Sequence, residues 1–207
     1  MRVQNSQAKY SGFSIIEVLI GIFIFSLGLI SIYAILVSSL SVNERNKNSI
    51  IASNLAREQI ELLRNIRDTN YKKPQVWNQI DPTTSGGDQF AAGNYYTLEN
   101  NFGAGVTPVV MTELASHVEG ETQLSGMQDY RLYLNADNMY TYDDSSGNTE
   151  TIFYRYLYIS DTELNDDGTD GAALPAGAFR VISKVIWYKR GYYEIDIQTI
   201  ITDWGRI

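Results

Sequence analysis

The chain has 207 residues, enough for one membrane segment and one modest domain. It contains no cysteine, which excludes disulfide staples, thiol nucleophiles and cysteine-based zinc sites and is compatible with export. A formal charge of −8 with a pI near 4.6 argues against a phosphate-backbone partner, and a single histidine, His117, leaves little material for a His-based triad or metal cluster.

The first twelve residues, MRVQNSQAKYSG, carry Arg2 and Lys9 and no acid. From Val18 to Val37 the chain then reads VLIGIFIFSLGLISIYAILV without a charge. As a helix that run spans about 30 Å, the thickness of a bilayer's hydrocarbon core. Ser26 and Ser31 can return their hydroxyls to the helix backbone, and Gly21 and Gly28 allow a neighbouring helix to approach. The basic leader places the N-terminus on the cytoplasmic side and the remainder across the membrane. A secretory signal would carry its small-residue cut site after the apolar run, whereas Gly12 stands before it. A cut after Gly12 would leave the apolar helix attached to the exported domain.

Glu17 interrupts this picture, since a carboxylate at the membrane end of a helix costs up to a few kcal/mol unless it finds a partner or the interface. If the chain is cut after Gly12, the new α-amino group of Phe13 is a suitable cation, in the same subunit or in a neighbour.

The stretch GFSIIEVLIG resembles the N-terminal motif of type IV prepilins and of the pseudopilins of type II secretion. Its parts occur in order: Lys9 in a basic leader, Gly12, Phe13, Glu17, then the apolar span Val18 to Val37. The resemblance implies that a membrane prepilin peptidase cuts between Gly12 and Phe13 and N-methylates Phe13. It also implies that Glu17 neutralises the terminal amine of an adjacent subunit during assembly. Pairing makes a buried charge tolerable and sets register between helices. The implied partners are the peptidase, other pilin or pseudopilin subunits, an inner-membrane assembly platform and, before assembly, the lipid bilayer. Many major pilins carry a proline in the middle of the apolar segment; this chain has none there, which favours a minor pilin or pseudopilin.

Past the apolar run, NERNKNSIIASNLAREQIELLRNIRD (43–68) continues with helical periodicity. At 100° per residue, Ile51, Ala52, Leu55, Ala56, Gln59, Leu62, Leu63 and Ile66 share an arc of about 140°. Arg57, Glu58, Glu61, Arg64 and Asp68 lie opposite, with charge pairs at helical spacing. Asn70 and Pro74 suit the helix end. The expectation is one helix of about 55 residues, from Phe13 to near Thr69, apolar all round in its first half and striped in its second. LAREQIELLRNIRD also resembles the corresponding segment of minor pilins of the pilus-modification and I-type pseudopilin groups.

Residues 74–125 are rich in Gly and Asn and read as loops, with a strand at Asn94–Leu98 and a short helix at Val110–Val118. The period then becomes two. Tyr130–Leu134 and Met139–Tyr142 flank a turn, Thr151–Ile159 is a strand, and Phe179–Tyr188 and Tyr193–Ile201 form a hairpin around Lys189-Arg190-Gly191. Trp204 is expected to cap the core edge. The predicted fold is α+β and pilin-like: a long N-terminal helix, half membrane and half amphipathic, packed on a C-terminal antiparallel sheet of four or five strands. Its organisation is a leader (1–12), a membrane or filament-core helix (13–42), an amphipathic continuation (43–73) and an exported loop region and sheet (74–207).

Candidate chemistry is sparse. DTELNDDGTDG crowds carboxylates and amides in a loop, as calcium sites need. The EF-hand spacing fails, because starting at Glu163 puts Leu174 where a bidentate Glu belongs. A solvated acidic turn is the stronger reading, with Asp161, Asn165, Asp167 and Asp170 as weak calcium candidates; no other cofactor is expected. The tyrosines of YRYLY and YKRGYY are expected to pack rather than to form an adhesive platform, and the Lys189-Arg190 turn on an acidic domain is poor evidence for DNA. No nucleophile–base pair is evident, so no enzyme is expected. The leading expectation is a structural filament subunit, first held in the cytoplasmic membrane by a single pass and then placed in an extracellular or periplasmic filament. The alternative is a solitary membrane-anchored binding module or adhesin that uses the same export route.

Overall fold

A computed structural model describes residues 12, 14–81, 87–100, 109–114, 127–165 and 169–204. The fold is α+β: one long helix, α1 (Ile15–Lys72), precedes an antiparallel sheet. The chain divides into two compact units, Met1–Asn48 and Ser49–Ile207.

In the first unit α1 buries none of its large apolar side chains; Ile15 is 81% exposed, Phe25 67% and Leu40 69%. Ser26 and Ser31 donate to the carbonyls of Ile22 (2.8 Å) and Leu27 (3.0 Å), as the sequence implies, so their hydroxyls leave no polar gap in the apolar surface.

In the second unit the expected stripe is the buried one. Ala52, Leu55, Ala56, Gln59, Leu62, Leu63 and Ile66 are buried, and Ile60, just beyond the expected arc, joins them. Asn70 lies within the helix rather than past its end. Its side chain is buried and donates to the carbonyls of Trp77 (3.1 Å) and Gln79 (2.8 Å), which turns the chain back along α1.

Among the described residues the main sheet has seven strands, more than the four or five expected from the period-two segments. They are β1 (Tyr95–Asn100), β2 (Val109–Leu114), β3 (Arg131–Leu134), β4 (Tyr140–Thr141), β5 (Thr149–Ser160), β8 (Ala178–Tyr188) and β9 (Tyr192–Thr202). β6 (Thr162–Leu164) and β7 (Asp170–Ala173) form a separate hairpin. β5 is the hub: it pairs with β8 from Phe153 to Ser160, with β3, and with β1 through Tyr95 and Tyr96. β8 and β9 pair without interruption from Ala178–Thr202 to Tyr188–Tyr192.

The helix expected at Val110–Val118 is a strand over its described part. VVMTEL runs in full register against β1, with Val109 and Met111 buried and Val110 and Thr112 outward. That alternation is the strand period, and its β-branched residues suit a pleated surface. The remainder of that segment, including His117, lies outside the described residues.

One face of the sheet closes on α1. Leu63, Ile66, Leu98, Leu157, Ile159, Val181 and Ile201 form one cluster, and Ala52, Leu55, Ala56, Leu132, Phe153, Val185 and Trp187 form another. The loop-like segment 74–94 contributes two core anchors, Trp77 and Phe90, packed edge to face at 5.5 Å. The opposite face carries a smaller cluster of Tyr130, Tyr154, Tyr156 and Ile186. Trp204 does not enter the core: it is 53% exposed, with its ring 4.7 Å from that of Tyr71.

Candidate functional site

The N-terminal candidate is built on α1. Its first turn holds Glu17, exposed, whose amide donates to the Ser14 carbonyl at 3.0 Å. The side chains that follow are apolar and exposed as far as Val42, apart from small and hydroxyl residues. A bare apolar surface of that extent requires lipid or other helices around it. α1 is long and apolar enough near the N-terminus to cross a membrane.

Glycine is not demanded by intramolecular packing at Gly12, Gly21 or Gly28. Among the described residues, a Cβ placed at any of them meets nothing within 4 Å, and none has a positive φ. Phe13, Arg2 and Lys9 lie outside the described residues.

The second unit holds a buried polar network that the sequence did not announce. Arg155 on β5 is 1% exposed. Its Nε donates to the Tyr142 hydroxyl (3.0 Å), its Nη1 to Glu58 Oε2 (2.9 Å) and the Leu55 carbonyl (3.4 Å), and its Nη2 to the Leu98 carbonyl (3.0 Å). The guanidinium also lies 5.3 Å from the centre of the Tyr142 ring. The Tyr142 hydroxyl donates to the Arg155 carbonyl (3.0 Å) and accepts from Gln59 Nε2 (3.2 Å). Ser183 donates to Gln59 Oε1 at 2.9 Å. Burial pushes the Tyr142 phenol above its ordinary range, so it stays protonated and keeps its donor. Glu58 and Gln59 thus tie α1 to β5 and β8. This arrangement holds helix and sheet together; it contains no nucleophile beside a base.

The acidic loop folds as the β6–β7 hairpin. The Asn165 amide nitrogen donates to Thr169 Oγ1 (3.0 Å) and to the Asp170 carbonyl (3.1 Å), which closes the turn. Asp170 accepts from Arg180 Nη2 at 2.5 Å. The Asp161 backbone carbonyl accepts from the Leu174 amide at 2.7 Å. Asp167 lies outside the described residues, and among those described no three His, Cys, Asp or Glu side chains converge. Of the weak calcium candidates, Asn165 and Asp170 thus have structural partners.

The tyrosines of YRYLY divide by depth. Tyr154 and Tyr156 are buried, Tyr156 lying edge-on to Tyr95 at 5.9 Å and to Tyr130 at 5.5 Å. Tyr158 is half-buried and stacks on Tyr95 at 4.8 Å. Burial raises the Tyr156 phenol far above its ordinary value. These rings are packing for the sheet's second face. The Lys189-Arg190 turn is exposed.

Compared with known families, residues 7–33 match the prokaryotic N-terminal methylation motif, the prepilin-type signal. No curated protein and no solved structure matched the chain.

Proposed function

We propose that this chain, which carries the prepilin-type signal at residues 7–33, is a structural subunit of a type IV pilus or type II secretion-like filament, a minor pilin or pseudopilin. The observation that carries the reading is the match to that signal on an exposed apolar helix whose lone early carboxylate is Glu17. A prepilin peptidase cuts between Gly12 and Phe13 and methylates the new terminus. The processed helix waits in the cytoplasmic membrane, with the sheet-bearing unit exported. On assembly it exchanges lipid for the apolar helices of neighbouring subunits. Glu17 then faces the terminal amine of an adjacent subunit, so that a charge too costly to leave alone in an apolar filament core is paired. The role is mechanical and asks no catalysis of the chain.

The test is mass spectrometry of the N-terminal peptide from sheared surface filaments and from membranes of the native host. A peptide starting at Phe13 in the filament fraction supports the subunit role, and its abundance relative to other pilins separates major from minor. A peptide starting at Phe13 found only in membranes points to a pseudopilin or to a solitary anchored module. An intact leader through Gly12 in both fractions overturns the proposal.

A further inference from the structure

Tyr33 places a polar group in the apolar half of α1 that the chain itself does not satisfy. Ser26 and Ser31, in the same run, return their hydroxyls to the carbonyls of Ile22 and Leu27. Tyr33 is 69% exposed, and its phenol has no hydrogen-bond partner among the described residues. A phenol hydroxyl stands too far from its own backbone for the return bond that a serine makes.

Lipid does not supply the acceptor. Tyr33 follows Glu17 by 16 residues. That is about 24 Å along an α-helix, against about 30 Å for the hydrocarbon core of a bilayer. The two polar groups therefore do not both stand outside it. The carboxylate is the costlier group to immerse, so Glu17 takes the interface. Tyr33 then lies inside the hydrocarbon, with AILV (34–37) still to follow before Ser38. Helical side chains lean toward the helix N-terminus, which aims this phenol at the bilayer interior and away from the nearer surface.

A neighbouring helix does supply it. Where water is absent, hydroxyl and carbonyl oxygens are the acceptors that one helix offers another. Ser26 and Ser31 spend their hydrogens on their own backbone, so each keeps lone pairs on an exposed oxygen. At about 100° per residue Ser26 shares the face of Tyr33, within about 20°, while Ser31 lies about 160° away. The apolar half of α1 thus presents a donor on one side and an acceptor oxygen on the opposite side. That is the arrangement of a heterologous contact, which repeats from subunit to subunit without closing.

On the premise of the filament role, we propose that Tyr33 is an assembly residue. In the membrane its phenol lacks an acceptor; in the filament it donates to an oxygen on the apolar helix of an adjacent subunit. The bond is gained only on leaving lipid, so it favours the filament over the membrane pool. It also fixes which side of the helix meets the neighbour, a role distinct from the charge pair of Glu17.

The experiment expresses the wild-type chain and Tyr33→Phe together in the native host and compares their ratio in membranes with their ratio in sheared filaments. Intact-protein mass spectrometry separates the two by one oxygen atom. Tyr33→Phe is expected to match wild type in membranes and to fall about threefold to tenfold in filaments, the range for a hydrogen bond between membrane helices. An equal ratio in both fractions, with wild type present in filaments, would overturn this proposal and leave the filament role standing. Wild type absent from filaments would overturn both. Tyr33→Trp, paired with wild type in the same way, keeps an amphipathic ring suited to a membrane surface but moves the donor. It is expected to fall in filaments at least as far as Tyr33→Phe. Incorporation of Tyr33→Trp at the wild-type ratio would make Tyr33 a membrane-surface anchor and equally overturn the proposal.

Discussion

Glu58 on α1 and Arg155 on β5, 97 residues apart in the chain, meet at 2.9 Å. The Arg155 side chain is enclosed while that of Glu58 is 44% exposed, so the carboxylate reaches in from the edge to compensate a cation that has no route to water. Arg155→Met removes the hub and with it the hydrogen bonds donated to the Leu55 and Leu98 carbonyls, the Tyr142 hydroxyl and Glu58; the expected loss is about 3 kcal/mol. Glu58→Ala leaves the cation uncompensated but partly reachable by solvent, at about 2 kcal/mol. The double substitution is expected to cost at least about 1 kcal/mol less than the sum, measured by denaturant unfolding of the full chain in detergent. Strict additivity would show that the pair does not act as a unit.

Leu63 is fully buried against the sheet, whereas Ile24 is 62% exposed on the same helix. Leu63→Ala is expected to destabilise the second unit by about 2–5 kcal/mol through lost transfer energy and a residual cavity. Ile24→Ala should leave the unfolding midpoint of that unit where it was. A shift of similar size for both would contradict the division of α1 into an intramolecular and an intermolecular half.

Asp196 on β9 has its carboxyl held above its ordinary value, first by burial and further by Glu194, with Lys184 opposing. The native state therefore binds this proton more tightly than the unfolded chain does. Its contribution to stability is fully present below the ordinary carboxylate value of 3.8 and is lost as pH rises from there through the raised native value. Asp196→Asn is expected to flatten the fall in stability as pH rises from about 4. Unfolding midpoints measured across that range decide it, and an unchanged slope would place the pH dependence elsewhere.

Glu17→Gln keeps size and helix propensity and removes the charge. In the native host the variant is expected to accumulate in membranes at normal levels and to disappear from sheared filaments, scored by immunoblot of both fractions. Normal incorporation would make Glu17 an interfacial residue without a role in assembly.

Gly12→Val adds a branched side chain where nothing among the described residues lies within 4 Å. The second unit should unfold as before, while the leader remains attached in membranes, seen as a heavier N-terminal peptide by mass spectrometry. Cleavage at the normal rate would remove Gly12 from the recognition of this signal.

The features legible from residue order are those whose physics is local or periodic. An uncharged apolar run identifies itself by length, the stripe from Ile51 to Ile66 by its helical repeat, and the β8–β9 hairpin by strict alternation around a tight turn. The strand at Val109–Leu114, where a helix is expected from Val110, is hard to read from its residues because a six-residue strand inside a Gly- and Asn-rich region offers few periods, and its pairing with β1 supplies what its own sequence lacks. Trp77 and Phe90 stand among turn residues and become core anchors only when Asn70 folds the chain back on α1.

By itself, the sequence determined that this chain carries a prepilin-type signal, a membrane-compatible helix and an antiparallel sheet behind it, because hydropathy, charge order and period act between near neighbours. Only the tertiary structure decided that Glu58 faces inward to Arg155 rather than outward with Arg57 and Glu61, and that Arg180 is buried with donors to spare. A charged side chain on a strand or helix reads as solvent-facing until distant segments close over it. Whether its donors then find acceptors depends on contacts that no local pattern encodes.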